Sequence, residues 1–218
     1  MTVTSATTGK LRFAIVMDSI SIPQWKFHCI KEIMKYAELR FVWIREKQSR
    51  TTGPVSLFST YEYFSSQLAS SLKKVHAGAL IKEARVHRSS YQLEQKYLES
   101  LKKDQVDFIM KLDNRKLTGD LLNVTKYGTW AFGFLRSEYL TRAALYQLTD
   151  DQNQAVILKK GYVSTVKESL SSHKENAHSI VTSWPALVCR DILNNQADYF
   201  RESLPENVKI MMINPPQI

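Results

Sequence analysis

Two short runs of nearly unbroken apolar residues, 12–18 (RFAIVMD) and 39–44 (LRFVWI), bracket an amphipathic segment. A run of this length without polar alternation predicts a strand covered on both faces. Between the runs, Ile22, Trp25, Cys29, Ile33 and Ala37 recur at spacings of three and four. Lys26, Lys31, Lys35 and Glu38 stay off that stripe, which predicts a helix over 22–38. A strand, a helix and a second strand so closely joined predict a βαβ unit with parallel strands. This opening directs the chain toward an α/β fold.

The remainder continues the alternation. Residues 48–54 form a polar break containing Gly53-Pro54. Phe64, Leu68, Leu72 and Val75 predict a helix over 59–75, and Leu93, Tyr97 (or Leu98) and Leu101 predict another over 89–103. Residues 106–112 (VDFIMKL) read as a third buried strand. Thr118 as N-cap and Asp120 in the first turn predict a helix over 118–126. Strand-like runs follow at 128–135, 143–148 and 155–163, the last two separated by a turn at 150–153. Helices are predicted over 173–183 and 185–200, divided at Pro185, and 208–213 is a final strand-like run. The fold class expected is α/β. A single Rossmann-like domain spans 11–213, with a mostly parallel sheet and helices on both faces; a disordered leader occupies 1–10 and a tail 214–218.

Charge narrows the class of partner. Lys and Arg number 30 against 21 Asp and Glu, a formal +9, which favours an acidic partner. Residues 1–110 hold 17 basic and 10 acidic side chains, whereas 111–218 hold 13 and 11 and are nearly balanced. Much of the excess lies in 71–103, read here as a lysine-rich helical surface rather than a nucleic-acid face. Cys29 and Cys189 form no CxxC pair and give no disulfide framework, and no apolar run is long enough to cross a bilayer. The expectation is a cytoplasmic protein without membrane contact.

Familiar catalytic motifs do not occur. The link after the first strand, DSISIP, has no glycine, so the usual dinucleotide-binding turn is missing. The chain has no GxxxxGK[ST], HExxH or GxSxG pattern. His173 and His178, five apart on one predicted helix, make a poor metal pair, and no metal site is expected.

The stretch 106–163, with Leu121-Leu122-Asn123 leading to Tyr127-Gly128-Thr129-Trp130, resembles the second half of the formyltransferase-like catalytic domain. That domain occurs in methionyl-tRNA and sugar formyltransferases. Trp184-Pro185-Ala186-Leu187 is similar to a later helix start in the same family. The resemblance implies chemistry that needs an Asn to polarise the formyl carbonyl of a 10-formyl-tetrahydrofolate donor. It also needs a His to handle the proton of the tetrahedral intermediate and an Asp to orient that His. By the same resemblance the Asn position falls on Ala131, the His position on Gly133 and the Asp position on Asn153. No histidine occurs between His87 and His173 to restore the set. The resemblance therefore implies the fold without the known formyl-transfer triad, and allows a homodimer.

Two functions follow. One is a ligand- or partner-binding accessory protein on this scaffold. The other is an enzyme that reuses the crevice at the strand C-termini, in small-molecule, glycan or natural-product biosynthesis. Candidate catalytic residues are Asn153, Asp151, Glu138 and Tyr139; candidate ligand-binding residues are Asp18, Ser19, Asp113, Asn114, Arg115 and Arg136. The sequence names no cofactor. Its expected partner is an anionic small molecule or an acidic protein ahead of a nucleic acid.

Overall fold

The computed structural model describes residues 9–45, 69–89, 95–117, 119–137, 139–149, 155–167 and 169–200. The βαβ opening consists of β1 (Leu11–Met17), α1 (Gln24–Ile33) and a further strand, Ala37–Arg45. A three-residue strand, β2 (Ser21–Pro23), interrupts the link before α1, so Ala37–Arg45 is β3. Beyond it come β4 (Lys74–His76), the helical turn α2 (Gly78–Ile81), β5 (Arg85–Ser89), α3 (Gln95–Lys103) and β6 (Phe108–Lys111). The chain then passes through β7 (Thr129–Arg136), β8 (Leu140–Leu148), β9 (Ala155–Ser164), α4 (Leu170–Val181) and α5 (Trp184–Leu193).

Among the described residues, seven strands form one sheet in the order β5-β3-β1-β6-β7-β8-β9. The first five in that order run parallel, and β8 pairs antiparallel with both β7 and β9. This is the mostly parallel α/β sheet expected from the sequence. Alternation along β1 explains its unbroken apolar run. Phe13, Ile15 and Met17 enter the core beneath α1 and α5, and Ala14 and Val16 enter the core beneath α3. On the first face Phe13 stacks on Phe108 at 5.4 Å, and Phe108 stacks on Trp130 at 3.9 Å, so aromatic rings cross three adjacent strands. On the second, Leu98 and Leu101 of α3 and Leu121 and Leu122 cover Phe41, Trp43 and Ile109.

Helix ends follow local chemistry. α3 and α5 each stop at a left-handed residue, Gln105 (φ 51°) and Asn195 (φ 56°). The next N–H in each case closes a Schellman-type bond, Val106 to the Leu101 carbonyl at 3.0 Å and Gln196 to the Asp191 carbonyl at 2.7 Å. Gly128 precedes β7 at φ 67°, and a Cβ there would lie 2.6 Å from Gln147 Nε2.

Several local expectations need correction. Of the helix predicted over 59–75, residues 59–68 lie outside the described residues. The remainder is a 3-10 turn, Ser70–Leu72, followed by β4, so Leu72 and Val75 share no helical stripe. Of the helix expected over 89–103, Ser89 ends the edge strand β5, residues 90–94 lie outside the described residues and Gln95–Lys103 form α3. Lys74, Arg85 and Arg88 therefore stand on strands rather than on a helical surface. The helix expected over 118–126 is a 3-10 turn, Gly119–Leu122, with Thr118 outside the described residues. The last predicted helix ends at Leu193, and Asp198–Phe200 forms a separate 3-10 turn. The turn at 150–153 and the strand-like run at 208–213 lie outside the described residues. No helix among the described residues is long and apolar enough to cross a membrane.

Candidate functional site

In the sheet order, β1 lies between β3 and β6, and successive connections leave it in opposite directions. A crevice opens outside the C-terminal ends of β1 and β6 at such a reversal. The link that follows β1 does not enter α1 directly. Instead β2 pairs antiparallel with β4, and the Gln24 N–H, at the start of α1, donates to the Lys73 carbonyl at 2.8 Å. The first N–H of α1 is thus satisfied within the protein.

Asp113, two residues past β6, organises those side chains. Its carboxylate has no solvent exposure and accepts from Arg45 Nη1 at 2.9 Å, while Lys111 Nζ lies 3.1 Å from its second oxygen. Arg115 Nε lies 3.8 Å from Asp113 and 3.5 Å from Asp18, whose side chain is 29% exposed. Arg45, the last residue of β3, also donates to the Lys116 carbonyl at 3.2 Å, and Arg115 donates back to the Arg45 carbonyl. Lys111 Nζ donates to the Asp113 carbonyl at 2.8 Å. These bonds tie the C-terminal ends of β3 and β6 together through the 113–116 turn. Burial lowers the Arg45 pKa, and Asp113 opposes that shift.

Two cavities adjoin this cluster. The larger, about 760 Å³, is lined by Asp18, Ser19, the β2 strand, Lys26, Lys74, His76, Arg88 and Asn114. The smaller, about 140 Å³, is lined by Trp25, Lys26, Lys111, Asp113, Asn114 and 131–134 of β7. Lys26, Leu112 and Asn114 border both cavities. Lys26 Nζ donates to the Leu112 carbonyl at 2.5 Å. Burial pushes its pKa down against the pull of Asp18 and Asp113, and Lys111 adds to the lowering. Ser19 Oγ accepts from the Ser21 N–H at 3.1 Å, so this hydroxyl fixes the turn after β1.

Of the residues expected from the sequence, the structure brings Asp18, Ser19, Asp113, Asn114 and Arg115 together at this crevice. Arg136 is the last residue of β7, and Tyr139 is 71% exposed with Lys167 Nζ 4.5 Å from its ring centre. Lys111 pairs with Ala131, five residues before Arg136, so the end of β7 lies on the order of 16 Å further along the strand. Glu138, Asp151 and Asn153 lie outside the described residues. The strand ends that flank 151 and 153, Leu148 and Ala155, pair with each other, and Leu148 faces Thr129 at the start of β7.

Sequence reasoning missed Lys26, Arg45, Lys74, His76, Arg88 and Lys111. Arg45 and Lys111 had a readable signal, a cation ending a buried parallel strand. Lys26 had none, because its position beside the apolar stripe looks like any solvated helix flank. Ala131 and Gly133 line the smaller cavity. Tyr146, which faces Ala131 across β7 and β8, leans over Gly133, where a Cβ would meet its Cε2 at 2.6 Å. Among the described residues, no group of three or more His, Cys, Asp or Glu could hold a metal ion.

No protein-family model matches the chain, and no curated protein matches it in sequence. Solved structures do match in shape. Glycinamide ribonucleotide transformylase 1 from Geobacillus kaustophilus superposes with a TM-score of 0.58 at 12% identity, covering 85% of this chain and 100% of that one. Phosphoribosylglycinamide formyltransferase from Bacillus halodurans gives 0.53 at 13% identity, covering 88% and 100%. A formyltetrahydrofolate deformylase from Pseudomonas putida gives 0.54 at 8% identity, covering 88% of this chain and 68% of that one. Likeness at such low identity speaks to backbone architecture alone, and by that measure this chain has a formyltransferase-like fold.

Proposed function

We propose that this chain binds a small anionic ligand in its larger crevice cavity, as an accessory protein on a formyltransferase-like scaffold that does not run formyl transfer. The observation that carries the reading is the lining of that cavity, where, among the described residues, Lys26, Lys74, His76 and Arg88 stand with one carboxylate, that of Asp18. A cavity of about 760 Å³ is of the size that holds small ligands and cofactors. At the positions where the resembled family carries its Asn and His, Ala131 and Gly133 offer no side-chain donor or proton carrier, and the Tyr146 ring fills the space beside Gly133.

Calorimetric titration with phosphate-bearing and carboxylate-bearing compounds tests the binding. The double variant Lys74→Ala/Arg88→Ala is expected to weaken phosphate compounds at least about tenfold, the worth of one charge-assisted hydrogen bond. Failure of every anion tried to bind at low salt refutes the reading. So does turnover of 10-formyl-tetrahydrofolate with an amino-sugar acceptor. The second reading, an enzyme with a repurposed site, is supported by the smaller cavity, where Lys26, Lys111, Asp113 and Asn114 converge.

A further inference from the structure

We propose that Lys26 is a carbonyl-capturing amine: a phosphate-bearing aldehyde seated in the larger cavity condenses with Lys26 Nζ to form an imine. The inference rests on the anion-binding reading of the same cavity and adds a covalent step to it.

Lys26 differs in its surroundings from lysines that are paired elsewhere in the structure. Lys111 is held by Asp113 at 3.1 Å, Lys159 by Asp191 at 2.7 Å and Lys35 by Glu32 at 2.7 Å. Lys26 instead bonds to a neutral carbonyl, that of Leu112, and borders both cavities. One N–H given to that carbonyl orients the nitrogen and leaves a lone pair for a carbon electrophile. Burial in this position also favours the unprotonated amine, the form that attacks. The groups that set its protonation come from several elements. They are Asp18 after β1, Lys111 and Asp113 at the end of β6, Cys29 on α1 and His178 on α4. Lys74, His76 and Arg88, on β4 and β5, supply the seat for the phosphate in the same cavity.

The step balances without an oxidant or reductant. The Nζ lone pair adds to the carbonyl carbon, forming the C–N bond as the C=O π pair moves to oxygen. That oxygen takes a proton from the nitrogen and gives a carbinolamine. Loss of the hydroxyl as water, with the second nitrogen proton, leaves the imine. Asp18, on the wall of the same cavity, is placed to pass protons through water during the dehydration.

Pyridoxal 5′-phosphate serves as the probe, trapped with borohydride and mapped by peptide mass spectrometry. Pyridoxal without phosphate and the non-aldehyde pyridoxine 5′-phosphate are the controls. Lys26 is expected to label at least about tenfold faster than exposed Lys35, because the cavity's cations hold the phosphate, and with it the aldehyde, beside Lys26 and not beside Lys35. Labelling by pyridoxal is expected to fall at least about tenfold, the value of one phosphate contact. Lys26→Met and Lys26→Arg should both abolish trapping in the cavity, whereas Lys35→Arg, outside its lining, should leave trapping at Lys26 and pyridoxine 5′-phosphate binding unchanged. Labelling of Lys26 at the rate of Lys35, with pyridoxine 5′-phosphate still bound, overturns the covalent step and leaves anion binding standing. Absence of both labelling and binding overturns both.

Discussion

Replacing Asp113 by asparagine removes a negative charge from a site where Arg45, Lys111 and Arg115 already outnumber Asp18 and Asp113. The carboxylate has no solvent exposure, and its partners Arg45 and Lys111 are only 14% and 11% exposed. At an effective dielectric of about 20, two unit charges about 4 Å apart attract by about 4 kcal/mol. The two close partners therefore give about 8 kcal/mol of gross attraction. Desolvation of the three groups offsets much of this, and breaking a buried pair typically costs about 3–5 kcal/mol. Arg45 keeps its bonds to the Arg115 and Lys116 carbonyls, and an amide oxygen can still accept from it. The expected loss for Asp113→Asn is accordingly at the low end, about 3 kcal/mol. For a chain of this length that corresponds to about 6–12 °C in melting temperature. Urea unfolding at low salt and at about 1 M salt measures it, and the loss should persist because buried pairs are little screened. Asp18→Asn is the control: its pair with Arg115 spans 3.5 Å between side chains about 30% exposed, and should cost less than about 1 kcal/mol. Equal losses for the two variants would refute the assignment of Asp113 as the anchor of the crevice.

Other perturbations test other parts of the structure. Gly133→His forces the Tyr146 ring aside, and thermal unfolding should show about 1–3 kcal/mol of overpacking without formyl transfer being gained. His178 stacks on Trp25 at 4.6 Å, and burial, with repulsion from Lys26, lowers its pKa from 6.5 to about 4. Its neutral form thus contributes stability above pH 6.5 that is lost as the pH falls toward 4, up to about 3 kcal/mol in total. His178→Phe, which keeps a ring on Trp25, should lose less stability than the parent between pH 7 and pH 4.5 in urea unfolding; equal losses contradict this assignment. Asp191→Ala leaves Lys159 without its partner at 2.7 Å, and an unfolding loss of about 2 kcal/mol would measure the tie between β9 and α5.

The strands legible in the sequence were those whose burial is dictated by their own residues. β1, β3 and β6 are apolar on both faces, so any fold that buries them must cover both sides of the sheet. β5, by contrast, reads RVHRS and carries no apolar alternation. It is a strand because β3 offers it a free edge, pairing Phe41 through Arg45 with Arg85 through Ser89. β2 and β4 are three residues each, too short for any periodicity, and exist only by pairing with one another. The crevice was legible in the same uneven way. Asp18, Asp113 and Arg115 stand directly after strands whose ends could be located. Lys26 comes from a helix flank, and Lys74, His76 and Arg88 from elements whose nature the sequence concealed.

By itself, the sequence determined the α/β class, the parallel pairing of β1 with β3 and the place of the crevice, because these follow from hydrophobic periodicity and the short link between strand and helix. Only the tertiary structure decided what the crevice contains. Asp113 became a buried anchor rather than an exposed turn residue because β3 ends beside it and delivers Arg45. The +9 charge acquired a local meaning in the same way, as cations distant in sequence were gathered around one cavity by strand pairing. Periodicity is local and can be read from a window of residues; charge convergence is a property of the assembled sheet.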